Sequence, residues 1–238
     1  MPEENAAADQ DIGASQDSAE ARGTKMPKEI AFDDKFRKQL RELFVWRRDV
    51  RRFRADPLPD GTLERLIEIA CLSPSVGLSQ PWRFVIVEDR IRRGAVIDDF
   101  KACNADALAS YSGHRAAQYA ALKLSGLEEA PGHLAVFADM ASEIGYGLGR
   151  ATMPETIEYS VVAAICSMWL AARADGIGLG WVSILNPARI KEILDVPSSQ
   201  KLVAYLCVGY PQMESDRPEL EQMGWEYRHP SSGLTVRR

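Results

Sequence analysis

The stretch ETIEYSVVAAICSMWLAARAD, residues 155–175, constrains the fold more than any other part of the chain, because it is apolar on nearly every side until Arg173. A helix of this kind has no face to give to water and must be enclosed, at the centre of a core or against a second subunit. Tyr159, Val162, Cys166, Trp169, Leu170 and Ala174 are spaced as its deeply buried stripe. No run of about 18 apolar residues is read as a bilayer span, so no membrane partner is expected. Gly176 stands where the helix must stop.

The elements around that helix alternate between two periods. Phe36, Leu40, Leu43 and Phe44 recur at three and four, which predicts a helix over 34–47 with acidic residues in its first turn and basic ones in its last. A Pro-rich connection leads to a second helix carrying Leu63, Leu66, Ile67 and Ala70, with Asp60 as the expected N-cap. RFVIVED (83–89), HLAVFAD (133–139), LGWVSIL (179–185) and KLVAYLCVGYP (201–211) read as strands, the first two buried on both faces. Residues 90–130 are helix-forming but polar, and the part with Tyr111, Arg115, Tyr119 and Lys123 is the candidate lid. This order predicts an α+β fold with helices flanking one mixed sheet, in competition with a doubly wound Rossmann sheet.

Charge and cysteine usage narrow the function classes. The net charge is −5, and six acidic against two basic residues in 1–25 account for four of those five. Residues 1–28, poor in bulky apolar side chains, are expected to be a disordered tail ahead of one domain over 29–238. An acidic chain argues against a nucleic-acid binder, yet allows a small phosphorylated ligand. Cys71, Cys103, Cys166 and Cys207 form no CxxC pair, and His114, His133 and His229 are scattered. Reduced core thiols, no metal site and a cytoplasmic location are expected.

Three stretches carry chemistry. RRDVRRF, residues 47–53, followed by Arg54, crowds five arginines around Asp49. In an extended segment Arg47, Asp49 and Arg51 share a face, and planar guanidinium groups there could clamp a phosphate; a solvated basic turn is the plain alternative. SPSVGLSQPW (73–82) is a rigid loop whose Ser73, Ser75 and Ser79 could meet a ligand or satisfy local backbone groups. GIGLGWVS (176–183) is not a dinucleotide fingerprint, because its glycines close a helix and lead into the strand that holds Ser183.

Together with VAYLCVGYPQ (203–212), these motifs resemble the nitroreductase-like flavoprotein superfamily over roughly residues 30–230. Most members have Ser where this chain has Asp49 and Asn where it has Leu78; the resemblance is to the branch that consumes its flavin. It implies an FMN-binding homodimer with flavin sites built from both subunits. Arg47, Arg48, Asp49, Val50, Arg51 and Ser75 would contact FMN, Ser183 would lie near the isoalloxazine, and Arg228 would reach the phosphate.

The implied reaction is the fragmentation of reduced FMN by molecular oxygen to 5,6-dimethylbenzimidazole, the lower ligand of cobalamin, with D-erythrose 4-phosphate as co-product. Asp49 would move the proton, with the arginines keeping it ionised unless burial opposes them. Ser183 would hold the flavin geometry, and a separate reductase would supply reduced FMN. An NAD(P)H-dependent nitroreductase and a non-catalytic flavin-binding protein are the rival readings.

Overall fold

A computed structural model describes residues 31–238. The tail expected over 1–28 lies outside the described residues. Helix α1 (Asp34–Trp46) opens on Asp33, whose carboxylate accepts from the Phe36 amide at 2.7 Å. Its apolar stripe, Phe36, Leu40 and Phe44, is exposed. The last turn holds no basic residue, since Arg47 is already the C-cap.

α2 (Thr62–Ala70) is capped by Gly61, in the left-handed region at φ +74°, and not by Asp60. The reason is a tight turn in which Thr62 N–H bonds to the Pro59 carbonyl, taking the donor Asp60 would have served.

Four strands follow near the expected places: β1 (Trp82–Ile86), β2 (Gly132–Asp139), β3 (Gly178–Val182) and β4 (Gln200–Gly209). β1 and β3 stop three residues early, so Ser183 lies outside its strand, and β1, at the sheet edge, is half-buried beyond Trp82 and not enclosed on both faces. They form one sheet in the order β1-β2-β4-β3, each pair antiparallel. The sheet is therefore antiparallel throughout and not the mixed sheet expected; the one parallel bridge among the described residues, Asp49 to Leu179, lies outside the strands, where the arginine segment meets β3.

Alternation along β2 and β4 splits the core in two. Leu134, Val136, Ala138, Leu206 and Val208 face α2 and α5 (Thr156–Ala174). Ala135, Phe137, Tyr205 and Cys207 face the other way, toward Val96 of α3 (Arg90–Ala109) and Ile190 and Leu194 of α6 (Pro187–Leu194). α4 (Gly113–Ala120) and the short α7 (Glu219–Gln222) lie outside these layers. Helices cover both faces of an antiparallel sheet, which is the α+β arrangement and not a Rossmann one.

The long helix corrects two expectations. Its buried stripe is Ile157, Val161, Ala164, Ile165, Met168 and Ala172, joined by Trp169, whereas Tyr159 stays 57% exposed and Cys166 is exposed. A helix apolar all round carries two equally plausible stripes, and only its packing against α2 and the sheet selects one. This helix is also long and apolar enough to cross a membrane; its fully buried residues instead meet α2 and the strands. Among the cysteines, only Cys207 is a buried core thiol.

Candidate active site

α5 ends in a Schellman turn: Ile177 N–H bonds to the Ala172 carbonyl, Gly176 N–H to that of Arg173, and Gly176 takes φ +72°. The chain then enters β3, where Gly180 serves a different need. A Cβ there would stand 2.0 Å from the Val50 carbonyl oxygen, so only glycine lets the arginine segment lie against the strand.

The segment is stitched down at each residue. Arg48 carbonyl accepts from Trp169 Nε1 at 3.0 Å, and the Arg47 guanidinium lies 4.8 Å from the Trp169 ring centre. Val50 N–H bonds to the Leu179 carbonyl at 2.9 Å. Asp49 Oδ1 accepts from the Trp181 amide at 2.8 Å, and Oδ2 takes both Nε and Nη2 of Arg51 at 3.1 Å. Arg51 Nη1 extends to the Lys123 carbonyl at 3.4 Å. Arg52 and Arg54 turn to carboxylates, Glu219 and Asp56.

Beyond β4 the chain returns over this segment as an arm. Arg48 donates to the carbonyls of Ser215 and Asp216 at 3.0 and 2.7 Å, and Arg173 forks onto Glu214. A cleft of about 240 Å³ remains between Arg48, Asp49 and Arg51 on one side and Ser215, Arg217 and Gln222 on the other. Burial raises the Asp49 pKa above its ordinary value, against the Trp181 amide and the charges of Arg51 and Arg47. Desolvation therefore outweighs the arginines, and the carboxylate binds a proton more tightly than a free aspartate. Burial, then the charges of Arg228 and Arg47, lower the Arg48 pKa.

The remaining expected residues are dispersed. Ser183, exposed just beyond β3, lies two residues past Trp181, about 7 Å along the strand from the amide that holds Asp49. Arg228 lines a second cleft of about 460 Å³ with Arg37, Arg41 and Phe44 of α1, but stays near enough to Arg48 for its charge to lower that pKa more than Arg47 does.

Ser75 belongs to another region. Its hydroxyl accepts from the Gln80 amide at 3.0 Å, and the next residue, Val76, bonds through its N–H to Ser160. Ser160 stands nine residues before Trp169, about 13 Å along α5, so one chain does not bring Ser75 to the arginines. Ser73 bonds to Ser167, while the buried Ser79 hydroxyl has no partner.

Two features escaped the sequence reading. Arg217 was hidden in an acidic run. The loop 141–153 was passed over although its G-x-G-x-G spacing at 145, 147 and 149 marks repeated left-handed backbone. It locks onto the Ser75 loop and presents Leu78, Tyr146 and Leu148 to solvent beside an open cleft of about 730 Å³. The candidate lid is α4 with its flanks: Tyr111 and Tyr119 stack at 5.0 Å, and Arg115 lies over Trp225 of the arm at 4.7 Å.

Residues 44–210 match the model of the Nitroreductase family. A 5,6-dimethylbenzimidazole synthase of Rhodospirillum rubrum is 57% identical over 199 residues, covering 84% of this chain and 94% of that protein. One of Rhodobacter capsulatus is 42% identical over 200 residues, covering 84% and 97%. The structure of oxidized iodotyrosine deiodinase bound to FMN and 3-iodo-L-tyrosine matches with a TM-score of 0.63 at 26% identity, over 74% of this chain and 91% of that one. The matched span holds the arginine segment, the Ser75 loop, the long helix and all four strands, and the chain belongs to the nitroreductase family.

Proposed function

We propose that the chain is a 5,6-dimethylbenzimidazole synthase, which fragments reduced FMN with molecular oxygen to form the lower ligand of cobalamin and D-erythrose 4-phosphate. The likeness to the Rhodospirillum rubrum synthase over nearly its whole length carries the activity. The observation that carries the chemistry is Asp49, a half-buried carboxylate gripped at both oxygens on the wall of an arginine-lined cleft. A phosphate clamp alone has no use for a negative charge there; a proton-transfer step does.

FMN fits this donor set, and when bound it supplies the ring that is broken. Arg48 and Arg217 flank the cleft and suit a phosphate, with Arg47 behind them; Arg48 is held through the backbone carbonyls of Ser215 and Asp216, which bring no charge to answer its own. Asp49, with raised proton affinity, is suited to accept a proton from the ligand, and the Ser183 hydroxyl two residues beyond Trp181 to orient it. The arm 213–222 keeps water from the phosphate end.

Ligand sites usually enclose roughly 300–1,000 Å³, and the cleft's 240 Å³ falls short of that. A homodimer supplies the rest in this reading, the partner's Ser75 loop closing over the flavin. The exposed stripe of α1 and the exposed Tyr159 and Cys166 on α5 are apolar surfaces suited to such a contact. A separate flavin reductase would deliver reduced FMN.

The test is aerobic incubation of the purified protein with chemically reduced FMN, followed by product analysis. Appearance of 5,6-dimethylbenzimidazole with stoichiometric loss of flavin is expected. Quantitative return of intact FMN overturns the reading, and steady NADPH oxidation with a nitroarene replaces it with a flavin-recycling reductase.

A further inference from the structure

Arg51 sits in the middle of the arginine segment, yet its bonds set it apart from its neighbours. Its side chain is 14% exposed, and Nε and Nη2 both close on Asp49 Oδ2. Nη1 points the other way, to the Lys123 carbonyl in the segment after α4. Lys123 is itself held there by Glu129, at 2.5 Å. The guanidinium plane thus spans two elements, with one edge on a carboxylate and another on a backbone oxygen. The Nε–Nη2 edge is taken and the charge is already answered by a carboxylate, which leaves this guanidinium ill suited to a phosphate.

We propose that Arg51 is a positioning residue, which fixes the Asp49 carboxylate and ties it to the 121–130 segment, and does not grip the flavin phosphate. The proposal rests on the reading of Asp49 as the proton acceptor. Among the described residues Asp49 has two further restraints, the Trp181 amide on Oδ1 and its own backbone bridge to Leu179. Without Arg51, Oδ2 would be free to turn and would lose its nearest cation.

The groups facing the carboxylate come from three elements. Arg47, Arg48, Arg51 and Arg52 lie on its own segment, and Glu214, Arg217 and Glu219 on the arm across the cleft. Cys207 of β4 lies beneath, and burial pushes that thiol up to about 12, so it stays neutral when Asp49 titrates. Arg51 is the only one of these groups whose side chain bonds to Asp49 among the described residues.

The test is carried out on the flavin-free protein with aspartate labelled with ¹³C at the side-chain carboxyl, the Asp49 signal being assigned by its loss in Asp49→Asn. In Arg51→Gln the titration midpoint of Asp49 should rise by about one unit or more, a tenfold gain in proton affinity. Arg51→Lys, which keeps the charge but cannot fork, should fall between, and serves alone if the Gln variant does not fold. The preference for FMN over riboflavin in equilibrium binding should be unchanged in both. An unmoved midpoint overturns the proposal, and so does a preference for FMN that collapses, which makes Arg51 a phosphate ligand instead. The Asp49 reading fails separately: it falls if Asp49→Asn fragments reduced FMN at the wild-type rate, whatever the titration shows.

Discussion

The arginine segment 47–54 and the paired loops 75–80 and 141–153 are both irregular, both glycine-supported, and opposite in how their surfaces are finished. Glycines of β3 admit the first into the sheet edge, where nearly every polar group finds a partner in the same chain. Glycines of the second pack the two loops on each other: a Cβ on Gly145 would stand 2.4 Å from the Gly77 carbonyl oxygen. Yet that rigid pair leaves Tyr146 fully exposed and Leu78 at 71%. One region has its polar groups paired within a single chain, and the other is built firmly around an exposed apolar surface. Rigid apolar surface of this kind is what an interface needs, because little conformational entropy is lost when it is covered.

If the closed region holds the chemistry and the open one the cover, substitutions should separate them. Asp49→Asn should lower the rate of flavin fragmentation by about 10²- to 10⁴-fold in single turnover, with FMN affinity largely kept. Ser75→Ala should change the rate far less, because its hydroxyl is occupied by the Gln80 amide in its own loop. Equal losses from both would mean that Ser75 reaches the flavin as directly as Asp49 does.

The rigidity of the open region is tested by two neighbouring glycines. Gly145→Ala combines left-handed strain at φ +83° with a clash against backbone, and should cost about 3 kcal/mol in urea unfolding of the flavin-free protein. Gly147→Ala meets the same strain at φ +77° but open space, and should cost about 1 kcal/mol. Similar costs would show that the loops separate readily, and the contrast with the arginine segment would lose its basis.

How much of this was legible in the sequence follows from the range of the forces involved. Strand periods and the α+β order are set by local alternation and turn chemistry, and β1–β4 all begin within a residue of where the pattern put them, though β1 and β3 end early. The Schellman stop at Gly176 was legible for the same reason. The buried face of α5 was not, since hydrophobicity is non-directional and the helix offers two apolar stripes. The partner of Asp49 was also out of reach: five arginines lie within five residues of it, and only the fold of the segment against β3 selects Arg51. Whether burial or arginine charge dominates Asp49 depends on the arm and on β4, both more than 150 residues away in the chain.

That balance has a small consequence for stability, opposite to the one a surface ion pair would give. A carboxyl whose pKa is raised by folding contributes stability that is fully present below its unfolded value and is lost as pH rises through the folded one. Asn removes the titration while keeping an oxygen that can accept from the Trp181 amide. The stability of Asp49→Asn relative to wild type should therefore shift in favour of Asn as pH rises from about 4 toward neutrality, and level off once the folded carboxyl has ionised. Urea unfolding midpoints at matched ionic strength measure this difference. A shift in favour of Asp over the same interval would mean that Arg51 and the Trp181 amide outweigh burial, and that the closed region binds this charge as an ordinary ion pair.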